Sequence, residues 1–420
     1  MVRAGLTSRE TAEAVARRSY GKLVALLAVR TRDVAAAEDA LADAFAEALT
    51  TWPARGIPDN PEGWLVAVSR RTLIDSARRQ QTAADAGGHL AFMAEELEAA
   101  SMLEPEIPDR RLALMFACAH PAIDAALRAP LILQTILGFD AATIASAFLV
   151  SPSTMGQRLS RGKAKIRQAG IPLAVPEKTE LPERLEAVLA AIYAAFAEGW
   201  RDPAGTDSRL RDLAEEAIWL CRLVVSLLPS EPEALGLLAL MLHAHARRHA
   251  RRDARGEYMP LGEQDPALWD DALIDEAEGL LLTASRMGRI GRYQLEAAVQ
   301  SAHAVRRHTK QTDWRAITML YAALADLSGS PVAALNHAVA VAETDGAAAG
   351  LASLASLDGD PRLADYQPYW AARAALLARL GYGIQADAAY ERAIGLEADP
   401  AVRRFLEQRR AALRQRTGLG

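Results

Sequence analysis

The most regular pattern of apolar and polar positions in the chain lies in residues 151–167, SPSTMGQRLSRGKAKIR. Its apolar or small positions recur at helical spacing and share one side, namely Met155, Leu159, Gly162 and Ile166. Ser151 can cap the amino end, and Pro152 fits a first turn, where a proline loses no helical hydrogen bond. The other positions are polar or basic. The run therefore predicts a helix with one inward seam and a basic surface.

A shorter helical pattern precedes this run, at residues 141–148, where Ile144 and Phe148 are spaced to pack against the seam. Two helices joined this closely predict a helix-turn-helix, whose second helix enters the DNA major groove while flanking cations hold phosphates. Gln157 and Arg161 are the candidate base readers. The candidate DNA contacts are Ser153, Thr154, Gln157, Arg158, Arg161, Lys163, Lys165 and Arg167. The alternative is an ordinary solvated basic face.

An amphipathic pattern occupies residues 37–53, AEDALADAFAEALTTWP. One face is apolar and consists of Leu41, Phe45, Ala48 and Trp52. The opposite face carries Asp39, Asp43 and Glu47, which we call the acidic stripe. The pattern predicts a helix that packs on one side and offers a negative surface on the other. For the stripe taken alone, a merely solvated face is the simpler interpretation.

The next helix is predicted to begin at Asn60 and Pro61, which together make a start signal. Its later turns are rich in arginine, with Asp75 as the lone acid. These cations are Arg70, Arg71, Arg78 and Arg79. Trp64 is the nearest aromatic ring that could stack on a base, although a place in the core is the better expectation for it.

Composition shifts along the chain predict five parts. Residues 1–81 form a helical domain, 82–108 a flexible Ala-, Gly- and Glu-rich connector, 109–170 a second helical domain, 171–182 a proline-rich joint, and 183–420 a long helical extension. Near its end the extension has the small and large positions of a tetratricopeptide-like hairpin. They are Ala374, Leu377, Gly381, Ala386, Tyr390, Ala393 and Pro400.

Composition predicts an all-α protein, because Ala and Leu dominate, aromatic residues make up 5% of the chain, and no run of alternating β-branched residues occurs. The net charge of −5 argues against nucleic acid as a partner, but the charge is uneven. Residues 1–172 hold 20 Lys and Arg against 19 Asp and Glu, whereas the rest holds 28 against 34. Positive charge therefore concentrates on the candidate DNA helix.

The chain shows no signal peptide and no apolar run long enough to cross a bilayer, so we expect a cytoplasmic protein without a membrane partner. Cys118 and Cys221 are expected to be buried thiols and not a disulfide. His243, His245 and His249 lie close in sequence, but residues two apart on a helix point apart, and no further ligand follows at a suitable spacing.

No phosphate-binding loop, nucleophile elbow or metalloprotease motif occurs in the sequence, so we expect no enzymatic activity, no catalytic residue, no cofactor and no metal.

The segment 256–281 differs from its surroundings because an acidic loop leads into a helix. Two interpretations stand. The loop forms a pocket for a signal, an unknown protein or a small molecule, or it only caps the next helix. The residues concerned are Glu263, Gln264, Asp265, Trp269 and Asp270.

The acidic-striped segment, the arginine-rich helix and the basic helix-turn-helix occur in one order that resembles regions two and four of bacterial extracytoplasmic-function sigma factors. The long extension resembles that of the subgroup with fused tetratricopeptide-like repeats. The resemblance implies that the acidic stripe docks on the clamp helices of core RNA polymerase, that the arginine-rich helix meets the proximal promoter element, and that the helix-turn-helix reads upstream promoter DNA.

We further expect the extension to regulate activity in cis, because a short proline-rich joint connects it to the DNA-reading domain. The competing function is a helical-repeat adaptor whose amino-terminal half no longer engages polymerase.

Overall fold

The computed structural model describes residues 7–83, 109–148, 150–177, 179–200 and 208–418, and these residues form nineteen α-helices and no β-strand. The all-α expectation is confirmed. Among the helices so described, none combines the length and apolar character needed to cross a membrane. The described residues divide into two compact units: those between 7 and 200, together with 208–217, form the first, and 218–418 form the second.

The helices of the first part of the chain are α1 (Ser8–Thr31), α2 (Val34–Arg55), α3 (Pro61–Ala83), α4 (Arg111–Cys118), α5 (Ala125–Leu137), α6 (Ala141–Ala147), α7 (Pro152–Gln168), α8 (Leu181–Trp200) and α9 (Ser208–Leu227). The remainder are α10 (Pro232–Ala246), α11 (Asp271–Ser285), α12 (Arg292–Ala304), α13 (Arg306–Thr309), α14 (Trp314–Ser328), α15 (Pro331–Thr344), α16 (Ala347–Ala355), α17 (Gln367–Arg379), α18 (Gly383–Leu396) and α19 (Pro400–Thr417).

Local sequence sets where the first helices begin. The Thr7 hydroxyl accepts a hydrogen bond from the Glu10 backbone, and the Glu10 carboxylate accepts one from the Thr7 backbone at 2.7 Å, which makes a complete capping box before α1. Asp33 caps α2, and Asn60 Oδ1 accepts from the Gly63 backbone at 2.9 Å at the start of α3. These side chains satisfy amide groups that the first turn leaves unpaired.

The first unit joins the two amino-terminal regions that the sequence separates. Helix α1 packs on α2 and α3, and it also packs on α4 and α5. At Gly21 the backbones come so close that a Cβ atom would overlap the Ile136 carbonyl group, and the Tyr20 ring lies against Gly138. Residues 1–81 and 109–170 are thus parts of one packed unit. The predicted connector lies outside the described residues from 84 to 108.

Helix α8 also belongs to the first unit, although we expected residue 183 to open a separate extension. It packs on α4 and α5, where Arg184 Nη2 donates to the Phe116 carbonyl oxygen at 3.1 Å. Its inward face is apolar and includes Val188 and Ile192, both fully buried. Burial of these side chains explains why the helix stays with the core that precedes the proline-rich joint.

In the second unit, successive helices pack on one another from α10 to α13 and from α14 to α19, and α12 packs on α14. Helices α17 and α18 form a hairpin whose turn contains Gly381 at φ +81°. The small and large positions of the repeat pattern lie in its core with residues of α19: Ala374, Leu377, Ala386, Tyr390, Ala393 and Leu406. Small residues let the two helices approach, while the Tyr390 ring fills the space between them.

The loop after α10 contacts the last helix of the same unit. Glu257 pairs with Arg404 at 3.1 Å, and Glu263 pairs with Arg409 at 2.6 Å. The rings of Tyr258 and Phe405 meet edge to face with centroids 5.5 Å apart. The array of helices from α10 to α19 is therefore tied together at its two ends.

Three histidines of the second unit give it a pH-dependent stability. Burial lowers the pKa of His243 to about 3, and burial with nearby arginines lowers the pKa of His245 and His303 to about 4. In the unfolded chain they take up protons near pH 6.5, so below that pH the unfolded state binds more protons than the folded state.

We therefore expect the free energy of unfolding to fall as pH drops from about 6.5 toward 4, with each histidine contributing up to about 1.4 kcal/mol per pH unit. Urea titrations across this range measure the slope. In the variant His303→Asn this slope should be smaller by the contribution of one histidine. In His308→Asn, at an exposed position, the slope should be unchanged. An equal slope in His303→Asn and the unchanged chain would contradict this assignment.

Candidate nucleic-acid interface

Helix α7 has the cap and the seam expected from its sequence. The Ser151 hydroxyl accepts from the Thr154 backbone at 3.2 Å, and Pro152 occupies the first turn. The residues that point inward are Met155, Leu159, Gly162 and Ile166, all buried. Since these four positions recur every three or four residues, the rest of the helix surface is left to polar side chains.

Helices α5 and α6 receive this seam. Ile144 of α6 is buried, and Asp140 caps that helix by accepting from the Thr143 backbone at 2.7 Å. A Cβ atom at position 162 would lie 2.9 Å from Leu131 Cδ1, so Gly162 permits the close packing of α7 on α5. This contact explains why a glycine stands within α7, although glycine in a helix interior costs roughly 1 kcal/mol relative to alanine.

The two candidate base readers, Gln157 and Arg161, are both exposed. Arg161 Nε lies 3.4 Å from the Gln157 carbonyl oxygen. Of the other candidate contacts, Ser153, Arg158 and Lys165 are exposed and Thr154 is half-buried. Arg158, Arg161 and Lys165 line a cleft of about 450 Å³ between α7 and the start of α5. The outer surface of α7 thus presents polar and basic groups to solvent.

Two cations of α7 are paired with acids of α2, in contrast to the expectation that both are open to DNA, although the Arg167 side chain is still 57% exposed. Lys163 Nζ lies 2.5 Å from Glu38 Oε2, with both side chains less than 15% exposed, and Arg167 Nη1 lies 2.7 Å from Asp33 Oδ2. Asp33 and Glu38 belong to the start of α2. The flank of α7 is therefore bound to α2 by two ion pairs.

Glu38 is an acid that the sequence pattern did not single out. Burial raises its pKa, and the Lys163 ammonium opposes that effect without cancelling it. Burial, with Glu38 nearby, also raises the pKa of Tyr20. The pair of Glu38 and Lys163 cannot be predicted from local spacing, because the two residues lie 125 positions apart in sequence.

The acidic stripe lies on the outer face of α2, and Asp39, Asp43 and Glu47 are all exposed. The opposite face is packed, with Leu41 and Trp52 in the core. The stripe is therefore available to a partner, as its helical spacing predicts.

The arginine-rich helix α3 is only partly available. Arg70 is 8% exposed, because it shares the inward face of α3 with Val66 and Leu73, so we correct the expectation that it projects outward. Arg71 is exposed. The side chains of Arg78 and Arg79 lie outside the described residues. Trp64 is half-buried, with its ring 5.5 Å from that of Trp52.

The acidic loop before α11 is built around one arginine. Arg306 donates to the carbonyl oxygens of Leu261, Gly262 and Gln264 at 3.0, 2.8 and 2.7 Å. Its guanidinium group also lies 5.1 Å from the centre of the Trp269 ring. Gln264 and Trp269 are buried, so neither faces solvent as a pocket residue would.

The acids of this loop have structural partners. Glu263 pairs with Arg409, Asp265 accepts from the backbone two residues on at 2.9 Å, and Asp270 caps α11 by accepting from Leu273 at 3.2 Å. These contacts fit the interpretation of the loop as a cap for the next helix.

Both cysteines are buried, and burial raises the pKa of the Cys118 thiol to about 12. Within the described part of the chain, no three His, Cys, Asp or Glu side chains lie close enough to hold a metal ion. His243 Nε2 instead lies 3.5 Å from Glu278 Oε1.

Two segments of the chain match known protein families. Residues 15–83 match the model of sigma-70 region 2, and residues 184–285 match a family of unknown function, DUF6596. The chain is 41% identical over 369 residues to an uncharacterized protein of Rhizobium meliloti (strain 1021), a match that covers 87% of each chain. No solved structure matches significantly.

Proposed function

The chain belongs to one family with its Rhizobium relative. We propose that it is a sigma factor with a fused carboxy-terminal extension, and that α7 is the helix by which it reads upstream promoter DNA. The observation that carries the proposal is the position of α7 relative to its neighbours. Its seam is buried, whereas Gln157 and Arg161 face solvent without an acidic residue in the helix. Such a helix can present its amino-terminal half to base edges.

Core RNA polymerase is the proposed partner of the acidic stripe. In support, the stripe lies within the segment that matches sigma-70 region 2, is exposed, and stands opposite a well-packed face. Arg71 of α3, in the same segment, is the exposed candidate for the proximal promoter element. Cations of this kind position a nucleic acid through its phosphates and carry little base preference.

The extension is proposed to regulate transcription in cis, and an unknown protein or small-molecule signal is proposed to act on it. The packed order of α17, α18 and α19 supports a repeat-type surface. This proposal also assigns the chain to the extracytoplasmic-function subgroup with a helical extension, in which one polypeptide carries both the promoter-reading and the regulatory parts.

Run-off transcription tests the function. The purified chain with core RNA polymerase should start transcripts from a subset of a promoter library, whereas an adaptor would start none. A chain truncated after Leu227 keeps α8 and α9 whole and should differ in activity if the extension regulates in cis. Equal activity of the two chains at every promoter would contradict regulation in cis and leave the sigma function in place.

Charge reversal of the acidic stripe tests the polymerase contact. We expect Asp39→Lys, Asp43→Lys and Glu47→Lys together to abolish capture of core polymerase, because like charges then meet at the docking surface. The matched control reverses three other exposed acids of the first unit, Glu13, Asp59 and Glu186. Retained capture by the stripe variant, or equal loss in the control, would show that the stripe is not the contact.

Replacement of Arg161 tests base reading. Arg161→Ala should relax preference at the upstream element by about 1–3 kcal/mol, the usual worth of a bidentate base contact. Arg158→Ala, on the flank of the same helix, should instead weaken binding to all sequences alike. Selection from a randomized duplex library measures both effects. An unchanged preference in Arg161→Ala would remove it from the base readers.

A further inference from the structure

We propose that the start of α2 holds α7 in a closed form, in which Asp33 and Glu38 occupy cations that duplex DNA would otherwise bind. The inference rests on the proposed DNA-reading role of α7 and adds to it a competitor within the same chain. The two ligands have the same chemistry, since a carboxylate and a phosphate both present anionic oxygens to lysine and arginine.

The first support is the geometry of the ion pairs. Lys163 and Arg167 are separated by one helical turn on α7, and their partners Glu38 and Asp33 lie along the first turns of α2. The Lys163 pair is sheltered, with 14% and 11% of the two side chains exposed. A pair removed from water in this way is not screened by salt as a surface pair would be. Lys163 is therefore held at a defined place, whereas the Arg167 side chain is 57% exposed and its pair with Asp33 is a surface pair, which salt weakens.

The second support is the backbone packing that sets this arrangement. Helix α1 carries Gly21, where a Cβ atom would overlap the Ile136 backbone of α5, and α5 in turn packs against Gly162 of α7. Helix α1 also packs on α2. Thus α1 and α5 bring α2 and α7 together independently of their charges. Any residue larger than glycine at position 21 would force these two backbones apart, whereas Gly162 meets only the ends of leucine side chains.

Contact with DNA and contact with α2 exclude each other at these positions. A phosphate cannot approach Lys163 while Glu38 lies 2.5 Å from its ammonium, because the carboxylate fills the site and repels a second anion. The acidic stripe extends the negative surface along α2. Meanwhile Gln157 and Arg161 stay exposed. The closed form thus keeps the base readers accessible but removes two of the phosphate contacts that supply affinity.

Binding of the full-length chain to a short fluorescein-labelled duplex of mixed sequence, followed by anisotropy over a range of salt concentrations, tests the proposal. The variant Asp33→Asn with Glu38→Gln frees both cations, and Asn remains a good cap for α2. We expect it to bind about tenfold more tightly at low salt, with a salt dependence steeper by about 2, since each added phosphate contact contributes about 0.9 to the slope. Glu38→Gln alone should steepen the slope by about 1.

The matched control is Glu13→Gln with Asp59→Asn, which changes the net charge by the same amount at exposed positions that do not contact α7. A gain of the same size in this control would overturn the proposal, because net charge alone would then explain it. Binding of the Asp33→Asn, Glu38→Gln chain with the affinity and slope of the unchanged chain would overturn it as well.

A second variant opens the interface without changing charge. Gly21→Val must displace α1 from α5, so a folded Gly21→Val chain, verified by circular dichroism, should also bind the duplex more tightly. Unchanged affinity in that folded chain would contradict the closed form. If no form of the chain, the unchanged one included, binds any duplex, the proposed DNA-reading role of α7 fails and this inference fails with it. Duplex binding that is equal in all forms leaves the DNA-reading role intact and removes only the closed form.

Discussion

The close approach of α1 to α5 is the constraint on which the first unit depends. Gly21 places two backbones in direct contact, and the Tyr20 ring covers Gly138 at the end of α5. Because protein interiors are packed without spare volume, this crossing fixes the distance between the helices on either side of it. Helix α2 packs on α1, and α7 packs on α5. The ion pairs between α2 and α7 are therefore a consequence of this packing.

Helix α7 combines three surfaces that its helical period keeps apart. Its seam buries Met155, Leu159 and Ile166, its outer face carries Gln157 and Arg161, and its flank supplies cations to α2. A helix can hold all three because residues three or four apart share a face and residues two apart do not. The same short sequence thus supports packing, proposed DNA reading and the proposed closed form.

The extension uses arginine as a structural residue to an unusual extent. Arg306 organizes the loop before α11 through three backbone carbonyl groups and the Trp269 ring, and Arg410 with Arg414 holds Asp387, whose pKa these guanidinium groups lower. A planar guanidinium group can meet several oxygen atoms at once, which suits it to such crossings. Several acids of this half of the chain are therefore paired within the fold.

Local spacing was enough to predict the helices and the faces that they offer. The seam of α7, the cap at Ser151, the acidic stripe and the burial of both cysteines follow from spacing of three or four residues and from side-chain chemistry, which act locally. Which helix faces pack against each other depends on the tertiary structure. Arg70 lies inside, Gln264 and Trp269 are covered, and Lys163 is bound to Glu38, because each outcome depends on a residue or helix remote in sequence. Helical spacing shows that one face of a helix packs against another element. Only the tertiary structure shows which element that is, because contacts between residues distant in sequence do not affect local spacing.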